Sequence, residues 1–157
     1  MPTTRFLATA HVVALCLAPC AVQADDTSPV QSETLLNTGA SWDGAEYGHY
    51  PAGKPELSVL RITIAPHAAL AWHAHPMPNA AVVLSGTLHL QKQATGEQKT
   101  VTRGQAFGEL AGATHRGIAG NEPVELLVFY AGRPGMPLSL PRSVSGGQPE
   151  PSAGVAQ

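Results

Sequence analysis

The sequence predicts an all-β fold, a single small antiparallel β-barrel or jelly roll. Three observations carry that prediction. Sixteen Gly and 14 Pro in 157 residues break the chain too often for long helices. No stretch repeats its apolar residues at helical spacing. Apolar runs of four to eight residues recur instead, with turn residues between them, as in sandwiches and barrels.

The elements follow in chain order. Residues 1–24 read as a signal peptide: Arg5, then the apolar stretch Phe6 to Leu17 broken only by Thr9 and His11, then Val22-Gln23-Ala24 before Asp25. The apolar part is too short to span a bilayer, and small residues stand at the cleavage positions. The expected product is periplasmic or secreted, begins at Asp25, and has no membrane contact after cleavage. Cleavage removes Cys16 and Cys20, so the mature chain holds no thiol and no disulfide. Losing Arg5 leaves eight Lys and Arg against 11 Asp and Glu, a net charge of −3. Nothing basic is clustered, which argues against nucleic acid as a partner.

Residues 25–34 are polar and expected to be flexible. The domain is expected over 35–142, with strands at Leu57–Ile64, Leu70–His75, Ala80–Leu84, Thr87–Lys92, Gln98–Arg103, Gln105–Glu109, His115–Ile118 and Val124–Tyr130. Ala94-Thr95-Gly96-Glu97 is a hairpin turn, and Gly86 and Gly104 mark bends between strands. Val124–Tyr130 is apolar on both faces after Glu125, which predicts a central strand covered on each side. The Gly-, Pro- and Ser-rich residues 143–157 lack the apolar content to order and are expected to be a disordered tail.

Chemistry concentrates in two places. In Trp72-His73-Ala74-His75-Pro76 the H-x-H spacing puts both imidazoles on one face of a strand, because side chains alternate with period two. His115, forty residues beyond His75, completes a triad if the intervening hairpin brings the chain back. Neutral imidazole is the common ligand of Zn, Fe, Ni and Cu. The bland alternative is two polar residues on a solvated strand and one structural histidine. His89, between Leu88 and Leu90, is expected to point outward, and His67 to sit exposed in a turn. His49 fits either a barrel mouth or an interface. Arg116 suits an anionic ligand or, more commonly, a surface acid.

The spacing resembles the two motifs of the cupin superfamily, in particular its small single-domain members. The first motif runs Gly, five residues, H-x-H, three or four residues, Glu, six residues, Gly. Here His67 stands at the first Gly, His73 and His75 match, Asn79 stands at the Glu, and Gly86 matches. The second runs Gly, five residues, P-x-G, two residues, His, three residues, Asn. Gly104, Gly112 and His115 match, Leu110 replaces Pro, Ala119 stands at the Asn site, and Asn121 lies two residues on. The resemblance spans Leu57 to Tyr130. It implies a β-barrel whose three histidines hold one divalent transition metal (Zn, Fe, Mn, Ni or Cu) and a homodimer built through residues 35–64.

Asn79 offers only a neutral amide where the family has a carboxylate. Glu109 is the candidate replacement, as metal ligand or as catalytic acid/base. If Phe107 faces the interior so does Glu109, two residues on along the strand, and a buried carboxylate needs a cation or a strong hydrogen bond. The alternative turns Gly108 inward and Glu109 to solvent. There is no Ser-His-Asp order, no G-x-S-x-G and no phosphate loop. Two functions stand foremost: a metalloenzyme of oxygenase, isomerase or lyase type on a small organic molecule, or a non-catalytic module that binds a small ligand.

Overall fold

The computed structural model describes residues 29–143. The expected signal peptide, the start of the 25–34 segment and the tail beyond Ser143 lie outside the described residues. The chain divides into a unit Met1–Ser32 and a unit Glu33–Gln157. In the first unit, residues 29–32 are exposed and belong to no strand. All strands belong to the second.

Among the described residues there is no helix, and the strands are β1 (Glu56–Ile64), β2 (His73–Ala74), β3 (Asn79–Ser85), β4 (Thr87–Lys92), β5 (Gln98–Thr102), β6 (Ala106–Gly108), β7 (His115–Ala119), β8 (Val124–Gly132) and β9 (Leu140–Pro141). They form a four-stranded sheet in the order β1-β8-β3-β6 and a five-stranded sheet in the order β5-β4-β7-β2-β9. Pairing within the strands is antiparallel throughout. This is the all-β jelly roll that the sequence predicts. Period-two alternation builds its core: Ala81 and Val83 of β3, Leu88 and Leu90 of β4, and Val124, Leu126 and Val128 of β8 are buried in one cluster with Phe107. Burying each of these larger side chains contributes roughly 1.5–3 kcal/mol.

Two expectations need correction. The strand expected at Leu70–His75 shrinks to His73–Ala74. Ala69 bridges Ile118, Ala71 is exposed, and pairing resumes only where His73 meets His115 on one side and Pro141 on the other. Pro76 has no N–H to continue the ladder, and His75 instead forms a parallel bridge with Ala111. The strand β8 is central, as expected, but only its inner face is covered. Leu127 and Phe129 point outward at 37% and 41% exposure, beside Leu57 and Val59 of β1.

Two motif positions have a backbone explanation. Gly86 adopts φ +77°, and a Cβ there would collide with the Pro123 carbonyl oxygen. Gly86→Ala combines left-handed strain with a clash against backbone, so it should destabilise the domain by at least about 2 kcal/mol, read as a lower urea midpoint at unchanged slope. His67, standing where the motif has Gly, is the one non-glycine residue with positive φ (60°) among the described residues. It is exposed, as expected, so its side chain meets no obstacle, and its N–H bonds the Gly120 carbonyl.

Candidate metal centre

The three histidines converge. His73 and His115 are directly opposed across β2 and β7, and His75 follows two residues later on the same face. Ring centroids are 4.9 Å apart for His73 and His75, 4.6 Å for His73 and His115, and 5.1 Å for His75 and His115. One ligand nitrogen of each lies within 4.8 Å of the others.

Backbone carbonyls orient all three rings. Nδ1 of His73 meets the Ala71 carbonyl at 2.8 Å, that of His75 the Leu138 carbonyl at 2.7 Å, and that of His115 the Ala113 carbonyl at 3.0 Å. A carbonyl accepts only, so each Nδ1 carries the proton and each Nε2 is left with a lone pair. Fixing the tautomer through the second nitrogen is how metal-binding imidazoles are held.

Glu109 is buried at 7% exposure, and Phe107 at 2% lies on the same face, so the parity argument holds for orientation. Its Oε2 stands 3.0 Å from His115 Nε2, and neither atom has another hydrogen-bond partner. That separation suits two adjacent ligands on one ion with bonds of about 2.1 Å. The three imidazoles, with their ligand atoms close together, fit a divalent transition metal.

Electrostatics agree with that reading. Burial, with the neighbouring His115 and His75, lowers the pKa of His73 to about 4. Burial likewise lowers that of His75. Burial disfavours charge on Glu109 and His115 too, but here each partner outweighs it: Glu109 is held below the usual carboxylate range and His115 above the usual imidazole. A metal at His115 Nε2 displaces any proton shared there with Glu109.

The residues flanking the triad were less legible in sequence. Tyr130 packs edge-on against His75 at 5.5 Å and stands opposite Asn79 across β8 and β3. Lys92 pairs with His115 across β4 and β7, and its ammonium bonds the buried Asp43 carboxylate at 2.6 Å. Lys92 has the inward parity of Leu88 and Leu90, a signal in the sequence that could have found it. Asp43 belongs to a turn closed by Ser41 and Ala45, strapped down where Trp42 N–H bonds the Gly108 carbonyl and the Tyr47 hydroxyl donates to the Glu109 carbonyl at 2.7 Å. Gly108 makes this possible, since a Cβ there would run into the Tyr47 hydroxyl. A crevice of about 250 Å³ lies beneath the strap, lined by Tyr47, His49 and by Pro76 and Met77, which follow His75. Three other candidates fall away from the centre. His89 bonds Thr100, Arg116 stacks on Trp72 at 4.4 Å and bonds Gln91, and His49 is exposed beside Tyr50.

Two antiparallel sheets over one core, with a His-x-His and a later histidine side by side, define a class, the small jelly rolls that carry a histidine cluster. Residues 60–130 match the family model of the cupin domain. Over that span the chain resembles a cupin domain. A search of curated proteins gave no significant match. Among solved structures the chain is similar to an RmlC-like cupin from Shewanella frigidimarina, with 21% identity, 51% of this chain and 69% of that chain covered, and a TM-score of 0.44. It is also similar to the polyketide cyclase RemF from Streptomyces resistomycificus, with 20% identity, coverage of 57% and 63%, and a TM-score of 0.49. A third likeness, to oxalate oxidase in complex with glycolate, has 21% identity, a TM-score of 0.45, and coverage of 52% of this chain but only 45% of that one.

Proposed function

We propose that this chain is an exported metal-dependent cupin that acts on a small organic molecule. His73, His75 and His115 hold one divalent transition metal, and Glu109 serves as its fourth ligand or as an acid/base beside it. The observation that carries this reading is the set of three Nε2 lone pairs turned to one point by Nδ1–carbonyl bonds. When bound, the cation supplies Lewis acidity and open positions for water or substrate. The chain's own residues do the rest. The buried rings of His75 and His115 exclude bulk water, and Glu109 holds or accepts a proton at Oε2 next to His115.

Export with cleavage before Asp25 belongs to the same reading, supported by the Arg5, Phe6–Leu17 and Val22-Gln23-Ala24 arrangement. So does self-association, supported by the outward apolar residues Leu57, Val59, Leu127 and Phe129. Native mass spectrometry of protein exported without a histidine tag tests all three at once. The expected species is a dimer of chains beginning at Asp25 with one metal each. A metal-free species after exposure to Zn, Fe, Mn, Ni and Cu removes the metal reading, and a retained Met1 removes export.

A further inference from the structure

Asn79 is 4% exposed, and both Oδ1 and Nδ2 are buried without a hydrogen-bond partner. A desolvated amide left unpaired costs free energy in every folded molecule, so one that persists in a core calls for an occupant. Its surroundings say where that occupant sits. The Glu109 N–H bonds the Asn79 carbonyl at 2.9 Å, and Ala80 registers with Gly108, so Asn79 and Glu109 oppose each other across β3 and β6. On its other side Asn79 opposes Tyr130, whose ring touches His75. Directly opposed residues of an antiparallel pair put their side chains on one face. The carboxamide therefore stands in a row with the Glu109 carboxylate and the Tyr130 ring, beside the triad.

We propose that Asn79 recognises the ligand of the metal centre, and that this ligand is a small monoanionic 2-hydroxy acid. The inference rests on the metal reading given above. A carboxamide presents a donor and an acceptor side by side, so its complement offers an acceptor and a donor on neighbouring atoms. A carboxylate oxygen next to a hydroxyl does so. Charge points the same way: three neutral imidazoles and one carboxylate leave a divalent cation with one net positive charge, which a monoanion neutralises. Glu109, an acceptor only, disfavours a second carboxylate beside it. Asn79 thus selects the ligand, while Glu109 supplies the negative charge that the motif position lacks.

The test compares wild type with Asn79→Leu, which keeps the branching of the side chain and removes its polar atoms. Metal content is measured first, then sodium lactate and sodium propionate are titrated calorimetrically into the metal-loaded proteins. Asn79→Leu should keep its metal and bind lactate about tenfold to a hundredfold more weakly, with a smaller loss for propionate, which lacks the hydroxyl. Without metal, Asn79→Leu should melt above metal-free wild type, because an unpaired buried amide has been replaced by an apolar group. Loss of metal from the variant would make Asn79 a metal ligand and overturn the proposal. Unchanged lactate binding, an equal loss for both acids, or a lower metal-free midpoint would overturn it too. If the leucine variant does not fold, Asn79→Ala carries the same binding comparison. Wild type that takes up no metal would remove the metal reading itself, a result distinct from all of these.

Discussion

His75→Ala should leave a folded protein that no longer retains metal. His75 is 3% exposed and its Nδ1–H bonds the Leu138 carbonyl, which leaves Nε2 for the metal; the alanine variant loses that bond too, so its metal-free midpoint is the baseline. A cation that binds only the folded state stabilises it by about 2.7 kcal/mol when present at a hundred times its dissociation constant. For a domain of this size that corresponds to a midpoint about 10 °C higher. The measurement is thermal unfolding against metal concentration. The wild-type midpoint should climb with added metal, and that of His75→Ala should stay flat. Parallel climbs in both proteins would place the metal elsewhere.

Glu109→Gln should weaken metal binding at least about tenfold, and by more than Asn79→Ala does. The substitution keeps shape and removes the charge. In the wild type the carboxylate lies 3.0 Å from His115 Nε2 and is otherwise unpaired on that oxygen, so its loss deprives a cation of an anionic ligand or near neighbour. Competition with a chromophoric chelator reads the affinity directly. If metal content instead stays intact and turnover disappears once a substrate is in hand, Glu109 acts as the acid/base. If neither changes while Asn79→Ala strips the metal, the inherited role stays with Asn79. The metal-free protein adds a check: Glu109 raises the His115 pKa, so Glu109→Gln should lower it in an NMR titration.

Much of this centre was legible because its signals are local. Alternation in Gln105–Glu109 tied the orientation of Glu109 to that of Phe107, and both are buried. The spacing of His73 and His75 set them on one face whether or not a long strand formed there. The same locality explains what went astray. Residues 70–72 read as strand from apolar content alone, yet their partners are decided by how β7 and β9 flank β2. The strand β9 has two residues, one of them Pro141, and carries no pattern to read. Burial on both faces of β8 was inferred from its hydrophobicity, but apolar content does not say what covers a face.

By itself, then, the sequence determined the all-β class, the Gly86 bend and the shared face of His73 and His75, because each depends on backbone geometry over a few residues. Only the tertiary structure decided the rest. It brought His115 opposite His73, set Glu109 against His115, and left the Asn79 amide buried without a partner. It also latched Asp43 onto Lys92 across 49 positions of chain. These are contacts between strands far apart in sequence, and their register is fixed by how two sheets pack, which no period along a single strand encodes.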